Sequence, residues 1–62
     1  MMANYLCLTR TAARRAAFAV AHIRGGYVYC HLVAIPHGGR TLPAFSVRDA
    51  DNVEIARVAF FK

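Results

Sequence analysis

The chain is 62 residues long, which makes one domain, 1–62, and excludes two. Its apolar content is high at 58%, yet no run reaches the ~18 apolar residues of a membrane span, and its two cysteines form neither a CxxC pair nor a disulfide framework. The net charge of +5 comes from eight basic residues against three acidic ones, and it points to an acidic partner, either nucleic acid or an acidic protein surface.

Asn4 to Thr9, NYLCLT, alternates weakly and suits a short first strand. Thr11 to Arg24, TAARRAAFAVAHIR, then reads as a helix. Thr9 and Thr11 are both suitable N-caps, alanine supplies helix propensity, and Gly25-Gly26 ends the run with Arg24 near the negative helix end. At ~100° per residue, Ala12, Ala16, Ala19, Val20 and Ile23 share one side, which is the expected buried face. Arg10, Arg14, Arg15, Phe18 and His22 fall on the other. A lone exposed Phe needs no functional explanation, because it can fold beneath a neighbouring segment.

Tyr27 to Ile35, YVYCHLVAI, is rich in β-branched and aromatic residues and reads as the second strand. Pro36-His37-Gly38-Gly39-Arg40 is the expected turn, and Thr41 to Arg48 the third strand, with Pro43 at its start or on an edge. Asp49-Ala50-Asp51-Asn52 is a turn by composition, and Val53 to Phe61 the last strand. The fold class is therefore α/β of the α+β type: a small βαβββ domain with one helix packed on one face of a mixed, mostly antiparallel four-stranded sheet. The last three strands should form a meander. The first should lie parallel to the second through a right-handed crossover.

With small helix residues against the sheet, Val28, Cys30, Leu32 and Ala34 should face the helix, together with Phe45, Val47, Ala56, Val58 and Phe60. Tyr27, Tyr29, His31, Val33, Ile35, Ser46, Arg48, Val53, Ile55 and Arg57 should then lie on the opposite face. No second helix remains to cover that face, so it predicts a homodimer or an obligate complex. A chain this short is also marginal alone.

The acidic residues Asp49, Asp51 and Glu54 all lie in the last quarter, and seven of the eight basic residues are arginine. Arginine favours bidentate contact with phosphate or carboxylate and stacks on flat groups. A GC-rich genome explains the same composition without function. Two cationic surfaces are candidates for partner binding. One is Arg14, Arg15, Phe18 and His22 on the helix. The other is Tyr27, Tyr29, His31, Arg48 and Arg57 on the sheet, where tyrosines beside arginines can stack bases.

No catalytic residue, metal ligand or cofactor is expected. Cys7, His22, Cys30, His31 and His37 match no zinc spacing, and Gly38-Gly39-Arg40 opens no helix as a phosphate loop must. The cysteines should be reduced core residues of a cytoplasmic protein; a bridge requires their strands to be neighbours. The acid-free, arginine-rich start is similar in composition to a mitochondrial presequence, but its removal would leave about half the chain, too little to fold. The expected function is a non-catalytic adaptor or inhibitor docking on an acidic partner, such as a nucleic-acid-handling complex, or on nucleic acid itself. Phage-type inhibitors such as anti-CRISPR proteins are similar in size and charge, with no shared motif. The alternative is a small metal-independent endoribonuclease. There His31 would move the proton, with Tyr29 beside it, and Arg48 or Arg57 would stabilise the phosphorane.

Overall fold

A computed structural model describes residues 2–61. The elements run β1 (Ala3–Cys7), α1 (Arg10–Arg24), β2 (Tyr27–His37), β3 (Arg40–Arg48) and β4 (Glu54–Phe60). One helix packs on one face of a mixed four-stranded sheet, in the βαβββ order expected. The strand order is β1-β4-β3-β2.

The first strand takes the far edge of the sheet. It pairs in parallel with β4, at the opposite edge from β2. The two strands still point the same way, because β2, β3 and β4 alternate in direction. The crossover spans the whole sheet and so centres α1 over the inner strands β3 and β4. These strands carry Phe45, Val47, Ala56, Val58 and Phe60, the buried residues beneath the helix. Cys7 and Cys30 consequently lie at opposite edges as free thiols, and Cys30 is exposed rather than part of the core.

Both ends of α1 follow from sequence. Thr9, in extended conformation, accepts the Ala12 N–H on its Oγ1 at 3.2 Å, so the helix starts at Arg10. Gly25 takes the left-handed conformation at φ 73°, and the Gly26 N–H donates to the Ala21 carbonyl at 2.8 Å. The phase of the helix differs from the apolar arc read in the sequence. Ala13, Ala17 and Ala21 lie against the sheet, Ala16 and Val20 form a half-buried flank, and Ala12, Ala19 and Ile23 face outward. An alanine row at four-residue spacing permits close approach of helix and sheet. Centring the contact on Val20 and Ile23 would hold them apart.

The register aligns rows of side chains across the sheet. On the helix side Tyr5, Val58, Phe45 and Leu32 form one row, and Ala3, Ala56, Val47 and Val28 another. On the other side Leu6, Ala59, Ala44 and Val33 align. Ala44, Ala59, Leu42 and Ser46 are buried on that second side although no helix covers it. A hollow there is lined by Leu6 of β1, by Ala59 of β4, and by Ile35 and His37 of β2, so both edge strands reach it. No second helix covers this face, as expected, yet its centre is buried, with Val33 and Ile35 packed against Leu42, Ala44 and Ala59.

Two irregularities set the remaining positions. A bulge on β2 between Val28 and Leu32 sets Tyr29, Cys30 and His31 opposite a shorter stretch of β3. A register shift at Val47/Arg48 turns Ile55 toward the helix-side core and brings Glu54 opposite Arg48. Strand β2 also runs on through Pro36 to His37, which an edge strand tolerates. The turn shrinks to Gly38-Gly39, both with positive φ, as a tight two-residue hairpin requires.

Candidate binding surfaces on the helix and the sheet

Of the sequence-predicted sheet residues, Tyr27, Tyr29, His31 and Arg48 gather at one end of the face away from the helix. The Arg48 guanidinium carbon lies 3.7 Å from the centre of the Tyr29 ring, and Tyr29 meets His31 edge to face at 5.8 Å. Arg48 Nη1 donates to Asn52 Oδ1 at 3.3 Å, and the Tyr27 hydroxyl donates to the same oxygen. Asn52 is held with φ 64° in the β3–β4 turn. Asp49 organises that turn, its Oδ1 accepting the Asp51 N–H at 2.9 Å and the Val53 N–H at 3.0 Å.

Arg57 stands apart from this group. Its Nε donates to Glu54 Oε1 at 2.8 Å, and the hydroxyl of buried Ser46 donates to Glu54 Oε2. Arg48 and Arg57 thus have neighbours of their own: a ring and an amide for one, a carboxylate for the other. Asn52 and Glu54 were missed as members of this surface, whereas Ser46 lies on the face expected of it. The signal for Asn52 was its place in the DADN turn. Glu54 needed the register shift, which local pattern does not disclose.

The helix residues lie on the opposite side of the molecule. Arg10, Thr11, Arg14, Arg15 and Phe18 line a shallow groove along the outer surface of α1. Arg14 sits over Phe18, its guanidinium carbon 5.2 Å from the ring centre, and Phe18 remains 51% exposed. Among the described residues no segment folds over it. His22 is exposed further along, and Arg24 ends the helix. Arg10 and Thr11 were not among the predicted site residues, although Arg10-Arg14-Phe18 has the four-residue spacing that places them in one row. α1 contains no acidic residue, and among the described residues no carboxylate pairs with Arg10, Arg14 or Arg15.

Among the described residues no three His, Cys, Asp or Glu side chains converge as a metal site, and no helix is long and apolar enough to cross a membrane. The fold is that of a small α+β domain. No protein family matches the chain, and no curated protein or solved structure shows a significant likeness to it.

Proposed function

We propose that this protein is a non-catalytic binding module, an adaptor or inhibitor by size, that docks an acidic partner on the outer face of α1. One observation carries the choice between the two surfaces. Arg57 is paired with Glu54 and Arg48 is held half-buried on Tyr29 and Asn52, whereas Arg10, Arg14 and Arg15 are exposed and pair with no carboxylate among the described residues. Unneutralised charge on one side raises the local concentration of an oppositely charged partner and steers its approach. Binding of fluorescent polyglutamate and of oligonucleotides tests the reading. Arg14→Glu with Arg15→Glu should abolish binding at unchanged melting temperature, and Arg48→Glu with Arg57→Glu should leave the helix surface competent in whatever protein remains folded. Loss of binding only in the sheet variant would transfer the function to the other face.

The endoribonuclease reading keeps one supporting observation, the assembly of Tyr29, His31 and Arg48 in one group. Cleavage of labelled RNA that disappears in His31→Ala would replace the binding reading with that one. Self-association is the second part of the proposal, and its basis is the outer edge of β2 rather than the sheet face.

A further inference from the structure

We infer that the partner on α1 is single-stranded nucleic acid, with phosphates held by Arg10, Arg14 and Arg15 and a base stacked on Phe18. The inference rests on the reading of α1 as the docking surface and names what docks there. The charge pattern selects the occupant. Cores of protein–protein interfaces are depleted in charge, whereas interfaces with nucleic acid are polar and strongly cationic. Here three arginines line one groove with a single aromatic group at its end, and every charged side chain on the element is basic.

Geometry favours a single strand over a duplex. A helix rises about 1.5 Å per residue, so Arg10 and Arg14 stand about 6 Å apart along the axis, suited to successive phosphates of one strand. Phe18 is half exposed, and Arg14 covers only part of its surroundings from 5.2 Å. A duplex buries its base faces and offers that ring nothing. An unpaired base offers a π-face, and stacking of this kind is tolerant of sequence. Thr11, in the same groove, adds a hydroxyl for a phosphate or sugar oxygen.

The experiment is fluorescence anisotropy of the full chain with labelled rU10 and dT10, a 12-base-pair duplex and polyglutamate, over a series of salt concentrations. The expected result is preference for the single strands, with log K falling against log salt at a slope of about −2, as three phosphate contacts require. Phe18→Ala should weaken rU10 binding roughly 5- to 100-fold without changing that slope, and Phe18→Tyr should restore it. Arg14→Glu with Arg15→Glu should abolish binding. Equal affinity for the duplex, with no effect of Phe18→Ala, would overturn the single-strand assignment. Binding of polyglutamate but of no oligonucleotide would overturn this inference while leaving the acidic-partner reading intact. Binding of none of the four probes would remove both.

Discussion

Gly26 is the residue on which the junction of helix and sheet closes. A Cβ built there would stand 2.3 Å from the Arg48 carbonyl oxygen, a backbone atom that cannot rotate away. Gly26→Ala should therefore destabilise by about 1–3 kcal/mol or more, with a melting temperature lower by several degrees for each kcal/mol. Gly25→Ala meets no neighbouring atom and suffers only from its left-handed backbone, φ 73°. Thermal unfolding of the two variants separates close approach from conformational strain, and Gly26→Ala should be the worse. The sequence marked both glycines as a helix stop, but not their different tasks. The first task is local and legible. The second depends on β3 passing within contact distance, which only the assembled sheet decides.

At the scale of the element, α1 shows where periodicity stops informing. The helix, its Thr9 cap and its glycine end were all legible, because capping and propensity act within a few residues. The phase was not, because alanines occupy most of the circumference and say little about which side is inward. The arginines marked the outward side correctly, yet they left about a third of the turn undetermined. The buried row of Ala13, Ala17 and Ala21 makes a graded prediction. Ala17→Leu should overpack the contact and cost about 1–3 kcal/mol, whereas Ala19→Leu, on the exposed side, should be near neutral. Ala16→Leu should fall between them. Chemical denaturation reads the order, and equal losses at 17 and 19 would contradict the packing described.

At the scale of the whole molecule, a sheet edge rather than a sheet face is the basis for self-association. The sequence suggested that one sheet face lacked a cover and therefore needed a second copy. Leu42, Ala44 and Ala59 are buried on that face without a helix, with Val33 and Ile35 of β2 packed against them. Alternation showed which residues share the face, but the burial of its centre depends on which strands are neighbours, and that is not local. Among the described residues both sheet edges are open, the short β1 and the outer edge of β2, an eleven-residue strand that offers the longer one. From Tyr27 to Gly39 it carries no Lys, Arg, Asp or Glu, so it lacks the charges that usually guard an edge. The bulge after Val28 and Pro36 near the far end confine the pairing-competent stretch to the middle, around Leu32, which is 40% exposed. Light scattering should show association that grows with concentration in the micromolar range, and Leu32→Lys should return the protein to a monomer by placing like charges in register. Arg14→Glu with Arg15→Glu should leave the association unchanged, since the helix face takes no part in it. A monomer at all concentrations would mean that the bulge and Pro36 are protection enough, and that a chain of this length stands on its own two buried clusters.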